Sequence, residues 1–418
     1  LFENFFLIFL DNNLLVLFLK KITPFILVYI LIYFFCSKKL FFLQKFIFSF
    51  SIIFLIIMVI LLSNRFFNYE KINLNIKETK NDRKVVWILF DEFDPSIAFK
   101  DSNKLKNFEQ LTKKSFVLNN SYSPSSHTME SMPSIFMSRN VKDIEYKNFK
   151  IFLTNQNHEK KEFNFKNTFL NFLEKENFDF QIISEVLPYC FMLELETNCE
   201  NNQAKFKNYF DSIISNLTPI NYLKKLKDIN DSKKRDKAFS IEDINKDIEL
   251  NDNFFFSKEL KFDLKDFKNE INSEKNLVFF HLFLPKINTV ASKHVENFYN
   301  LKLNDDSEKY KVMLSYIDLI TKGVQKEINE KSKDEILLII SSDHWLRESS
   351  DKPKPSLFIA KINSDHTKIY NEKKVMNIFI PDLIIKFLQK KISSHIEINK
   401  YIELLDDINL NQINNNLK

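Results

Sequence analysis

The sequence is 418 residues long, with 60 Lys and Arg against 55 Asp and Glu and a net charge of +5. So mild a balance, with the lysines interspersed among acids, offers no polyanion-binding stripe and argues against a nucleic-acid partner. A single Gly in the whole chain excludes the Walker and Rossmann loops, and nucleotide binding of those kinds, because both need several glycines where backbone approaches phosphate.

The length is a prior for two or three domains, and the first 64 residues differ from the rest. The chain begins at Leu1 rather than Met, so it is read as open at its N-terminus. Phe5 to Leu19 is apolar but interrupted by Asp11, Asn12 and Asn13; it is read either as the end of a truncated span or as an interfacial helix. Ile22 to Ser37 is a second span, with Pro24 tolerated in its first turn. Phe46 to Asn64 carries no charge and no polar face, and at ~1.5 Å per residue it covers most of a ~30 Å hydrocarbon core. Lys38, Lys39 and Lys45 lie between the two good spans, and the positive-inside rule places that loop in the cytoplasm. Everything after Arg65 is therefore expected outside the cytoplasmic membrane, with the bilayer itself as a partner. The expected organisation is a membrane anchor over 1–64, a linker over 65–82, a large domain over 83–395 and a tail over 396–418.

Cys36 falls in a span, leaving Cys190 and Cys199 in the large domain. They bracket a short loop that a disulfide would close in an oxidising compartment, two buried thiols being the alternative. Scarce glycine also means that Asn and Asp are expected at turn positions with φ > 0.

From Lys84 onward strands and helices alternate. Lys84–Phe90 (KVVWILF) reads as a doubly buried strand. Asn103–Lys114 has helical spacing through Leu105, Phe108 and Leu111; Phe116–Asn119 reads as a strand and Thr128–Met137 as a helix start. Phe165–Lys175 is amphipathic and leads into the strand Phe178–Ser184. A charged, Asn-rich insertion over about 200–275 interrupts the pattern. The strand Leu277–Phe283, the helix Ser307–Lys331 and the strands Glu335–Ser341 and Leu357–Ile362 then resume it. Such alternation predicts an α/β fold with a mainly parallel sheet flanked by helices, and in open α/β sheets the chemistry lies beyond the carboxyl ends of strands.

Those ends carry Asp91 and Glu92 after the first strand, and Asp343 and His344 after EILLIIS. Carboxylates with an imidazole make an oxygen and nitrogen cage suited to one divalent metal ion, Zn²⁺, Mn²⁺ or Ca²⁺. Thr128 stands where a loop turns into a helix, a position equally served by an ordinary N-cap region. His281 lies within LVFFHLF, shortly before Lys286.

Three motifs, VVWILFDEF, TMESMPSIFMS and IISSDHW, give the chain a resemblance to the alkaline phosphatase/sulfatase superfamily. It is most similar to the membrane-anchored sulfatase-like branch that includes phosphoethanolamine and phosphoglycerol transferases. The likeness runs from about Arg83 to Lys391. It implies metal ligation by Asp91, Asp343 and His344, with Glu92 as a further ligand, and makes Thr128 both a ligand and the nucleophile. His281, Lys286 and Arg347 complete the catalytic candidates. A metal would activate the weak threonine hydroxyl. Formylglycine chemistry is not expected, because the C/S-x-P-x-R pattern fails from Thr128 (Glu130 and Met132 stand for Pro and Arg) and from Ser131 (Ile135 stands for Arg). Lys286 occupies the place of a His in many relatives. The activity implied is transfer or hydrolysis of a phosphoryl-type ester of a membrane lipid or glycan. The alternatives are a sulfatase-like hydrolase and an inactive scaffold of the same fold.

Overall fold

The computed structural model describes residues 82–408, apart from 101–104, 148–149, 156, 185, 196, 202–263, 286–305, 331–334 and 348–351. The expected spans within 1–64, nearly all of the linker, most of the charged insertion and Lys286 lie outside the described residues. Among the described residues no helix is long and apolar enough to cross a membrane. The chain divides into two compact units, Leu1–Ile72 with Glu145–Phe152, and Asn73–Ile144 with Leu153–Lys418. The second unit carries every candidate site residue that is described.

In chain order, β1 (Arg83–Asp91) is followed by α1 (Pro95–Ala98), α2 (Lys106–Thr112), β2 (Phe116–Leu118) and β3 (Ser121–Tyr122). Next come α3 (Thr128–Phe136), β4 (Val141–Lys147), β5 (Lys150–Asn155) and β6 (Lys160–Glu162). They precede α4 (Phe169–Lys175), β7 (Phe180–Ser184), α5 (Tyr189–Met192) and β8 (Cys199–Asn201). The chain continues through α6 (Leu264–Asn272), β9 (Leu277–Pro285), α7 (Asp306–Glu330), β10 (Glu335–Ser342) and β11 (Phe358–Ile362). Last are β12 (Ile369–Asn371), β13 (Val375–Met376), α8 (Ile380–Leu388) and α9 (His395–Glu403). The residues His395–Glu403, which overlap the expected tail, are thus helical.

Eight strands form the main sheet in the order β12-β2-β11-β10-β1-β9-β7-β8. The sheet is mainly parallel as expected, but it is mixed: β11 runs antiparallel to both of its neighbours, β10 and β2. A parallel neighbour needs a crossover, usually helical, whereas the connection from Ser342 to Phe358 holds no α-helix among its described residues. The chain therefore turns back.

Strand β1 is buried along its whole length because both of its faces are covered. On one face Val86, Ile88 and Phe90 join Phe108 and Leu111 of α2 and Tyr310, Leu314 and Ile317 of α7 in one core. On the other, Trp87 meets Phe136 of α3 at 6.0 Å, Phe169 of α4 at 6.3 Å and Phe279 of β9 at 4.5 Å between ring centroids. Alternate residues of a strand point to opposite faces, so a continuous apolar run is what such a strand requires. The Arg83 guanidinium donates to the carbonyls of Phe387 and Ile392 at 2.7 and 2.8 Å, fixing the end of α8 over the start of β1. Helix α3, which begins at Thr128, is thereby packed against β1 and pointed at the carboxyl edge of the sheet.

Positive φ occurs among the described residues at Glu92, Ser138, His158, Asn177, Glu194, Asn198 and Lys390. Asn fills two of these places as expected; Asp fills none, and Ser138 with the bulkier Glu92, His158, Glu194 and Lys390 takes the rest. Cys190 and Cys199 are joined, with Cα atoms 5.5 Å apart, tying α5 to the edge strand β8.

Candidate active site

Strands β1 and β10 are parallel neighbours with Phe90 opposite Ser342, so Asp91 and Asp343 leave the sheet side by side. The turn after β1 is stitched to the end of β10. Glu92 N–H donates to Asp343 Oδ1 at 3.1 Å, and Phe93 N–H donates to Ser342 Oγ at 3.0 Å. Glu92 is the tight point of this turn, at φ 65°, a left-handed conformation that a residue with a Cβ adopts only under constraint. Tyr310 of α7 supplies that constraint. Its hydroxyl donates to the Glu92 carbonyl at 2.8 Å and accepts from Asp94 N–H at 2.8 Å.

Thr128 is the first residue of α3, and the N-cap is His127, without a side-chain capping bond. The Thr128 hydroxyl points away from the helix: Oγ1 donates to Asp91 Oδ1 at 3.4 Å and lies 3.2 Å from His344 Nε2. Helix α3 is anchored to the loop after β10 by Ser131, which donates to the Asp343 carbonyl at 2.6 Å and has its Oγ 2.8 Å from that of Ser123. Ser123 also donates to that carbonyl.

One donor atom from each of Asp91, Glu92 and His344, all buried, lies within 4.8 Å of the others. His344 Nε2 is 3.6 Å from Asp91 Oδ1 and 3.3 Å from Asp343 Oδ2. His344 Nδ1 lies 2.8 Å from the Trp345 carbonyl. A carbonyl only accepts, so Nδ1 carries the proton and Nε2 presents its lone pair to the carboxylates, the usual orientation of a ligating imidazole. Hard carboxylates and one imidazole, buried together, fit a divalent ion in chemistry, and a cation offsets charges that are costly to bury.

Arg347 closes the arrangement. Its Nε donates to Glu92 Oε1 at 3.2 Å, Nη2 donates to the same oxygen, and Nη1 donates to His127 Nδ1 at 2.9 Å. Burial opposes its charge, but Glu92, Asp91 and Asp343 outweigh that and leave its pKa raised. The buried Tyr189 phenol is pushed well above its ordinary pKa, first by desolvation and then by the charges of Asp343 and Asp91.

Of the residues singled out in the sequence, Asp91, Glu92, Thr128, Asp343, His344 and Arg347 come together here. His281 stands at the strand position opposite Leu89, one pleat below Asp91, and its Nδ1 lies 2.8 Å from the Tyr189 hydroxyl. Lys286 lies outside the described residues. Sequence reasoning missed His127, Tyr310 and Ser123. Only His127 had a signal to offer, its place immediately before Thr128.

The sulfatase family model matches residues 83–365. A protein of the alkaline phosphatase superfamily from Vibrio parahaemolyticus is 13% identical, with 76% of this chain and 68% of that chain covered and a TM-score of 0.41. The periplasmic domain of a phosphoethanolamine transferase from Campylobacter jejuni is also 13% identical, covering 73% of this chain and 89% of that one, with a TM-score of 0.40. A phosphonate monoester hydrolase of Agrobacterium radiobacter is 10% identical, covering 73% and 74%, with a TM-score of 0.42. No match was found among curated proteins.

Proposed function

The chain belongs to the sulfatase family, and from that premise we propose that it transfers or hydrolyses a phosphoryl-type ester, with Thr128 as nucleophile, on the extracytoplasmic side of a membrane. The observation that carries this reading is the direction of the Thr128 side chain, whose Oγ1 lies 3.4 Å from Asp91 Oδ1 and 3.2 Å from His344 Nε2 instead of capping α3. A divalent ion held by Asp91, Asp343 and His344, with Glu92 within reach, would lower the hydroxyl pKa and offset charge on the transferring group.

The residues of the chain do the rest. Thr128 Oγ1, which faces Asp91 Oδ1 at rest, forms a bond to phosphorus as its proton leaves to solvent, and Asp91 stays ionised. The bond from phosphorus to the leaving alkoxide breaks, and that oxygen takes a proton from solvent. An acceptor alcohol or water then attacks phosphorus, its proton leaves to solvent, and Thr128 Oγ1 departs and takes a proton from solvent. The open first turn of α3 favours the anionic group. Ser131, the alternative nucleophile, is committed to holding the Asp343 carbonyl, which weighs against a sulfatase-type site there.

The apolar runs at Ile22–Ser37 and Phe46–Asn64 support a tether that keeps the site near a bilayer, and so a lipid or glycan ester as substrate. The test uses purified full-length protein. Thr128→Ala is expected to abolish turnover while keeping its melting temperature, and Thr128→Ser to retain much of the turnover. Mass spectrometry after incubation with membrane lipids is expected to find the transferred group on Thr128. An active Thr128→Ala protein overturns the assignment.

A further inference from the structure

Three carboxylates, Asp91, Glu92 and Asp343, each with a side chain at most 5% exposed, gather at the strand ends where the Thr128 hydroxyl donates to Asp91. One divalent ion leaves one negative charge uncompensated, and a phosphoryl ester is itself an anion. A fixed cation at the entrance is needed before such a substrate approaches Thr128.

Arg347 has the position and the geometry for it. It is 29% exposed while its partner Glu92 is 5% exposed, so it is the member of the cluster that solvent reaches first. Glu92 Oε1 accepts from both Nε and Nη2, and His127 Nδ1 accepts from Nη1 at 2.9 Å. The guanidinium is thus pinned on two sides, and two of its five N–H groups remain after these bonds. A planar fork of this kind matches phosphate oxygens in a way an ammonium does not. His127 precedes Thr128 directly and is the N-cap of its helix. Glu92 lies in the first motif, His127 directly precedes the second and Arg347 stands two residues after the third, so the pinned guanidinium is referenced to the nucleophile and to both strand ends.

We infer that Glu92, Arg347 and His127 form an anion-recognition subsite for the non-bridging oxygens of a phosphate-type ester, in which Glu92 anchors Arg347 and is not a metal ligand. This rests on the reading of Thr128 given above. Arg347 binds, whereas Glu92 and His127 are positioning residues.

The test measures inorganic phosphate binding by calorimetry and bound metal by elemental analysis, on metal-loaded full-length protein. Arg347→Gln is expected to weaken phosphate binding at least tenfold while holding metal at the wild-type ratio, and Arg347→Lys to restore it only in part. Glu92→Gln is expected to keep its metal and to weaken phosphate binding severalfold. Phosphate binding within twofold of wild type in both Arg347 variants overturns the subsite, and loss of metal in Glu92→Gln overturns the anchoring role. Turnover of Thr128→Ala separates the two levels, because the phosphate measurements are made on the Arg347 and Glu92 variants with Thr128 intact. Should Thr128→Ala stay active while Arg347→Gln loses phosphate, the nucleophile is wrong and the subsite stands.

Discussion

Asp343 offers the sharpest separation of fold from chemistry. As a strand-end acid it looks dispensable to packing, but its Oδ1 accepts from Glu92 N–H at 3.1 Å and from His344 N–H at 2.8 Å, in a position that is fully buried. Replacing it with Ala orphans two buried amides at ~1–3 kcal/mol each, a loss of about 2–6 kcal/mol. At roughly 2 °C per kcal/mol in a large domain, the metal-free protein should melt about 4–12 °C lower. Replacing it with Asn keeps an oxygen acceptor for both amides and removes the charge. Asp343→Asn should therefore melt within a few degrees of metal-free wild type and yet fail to hold metal. Thermal unfolding in the presence of a chelator, with elemental analysis of the metal-loaded proteins, reads both quantities. An Asp343→Ala protein that melts like wild type refutes the anchoring argument, and an Asp343→Asn protein with full metal occupancy refutes ligation.

Two further outcomes are expected. Cys190 and Cys199 should resist alkylation until reductant is added, after which a membrane-impermeant maleimide should label both on intact cells; labelling without reductant refutes the bridge, and labelling only after lysis refutes the extracytoplasmic placement. Cys199→Ser should cost about 2–3 kcal/mol, the loop-closure contribution of so short a ring. His395 accepts the Ile362 N–H on Nε2 at 3.0 Å and has its Nδ1 2.6 Å from the Thr367 carbonyl, so it is neutral in the fold. Burial lowers its pKa from 6.5 despite Thr367 and Asp365. With the folded value below the unfolded one, its contribution is fully present above about pH 6.5 and is lost as the pH falls toward the folded value. Melting temperature should fall as the pH is lowered across that window, and His395→Gln should flatten the slope.

The long elements and the three motif ends were legible because the physics that makes them is local. A run such as KVVWILF fits a strand covered on both faces, and α7 announces itself by twenty-five residues of helical pattern. The direction of β11 was not legible, since a period of two encodes which face is buried and carries nothing about which way the strand runs. The partners of the site were hidden for another reason. Tyr310 holds a turn 218 residues upstream and Arg347 meets a His 220 residues away, and no pattern along the chain marks such pairs before the sheet brings them together.

The turn at Glu92 joins these levels. With one glycine in the chain, the left-handed position after β1 is filled by a glutamate, and a conformation costing of order 1–3 kcal/mol is held by Tyr310 and by the Asp343 carboxylate. The same carboxylate faces His344 Nε2 at 3.3 Å. Strain, amide anchoring and metal-ligand geometry therefore meet in two side chains. A metal bound there would both complete the chemistry and relieve the repulsion of Asp91 and Asp343, which would couple the stability of this edge of the sheet to its occupancy.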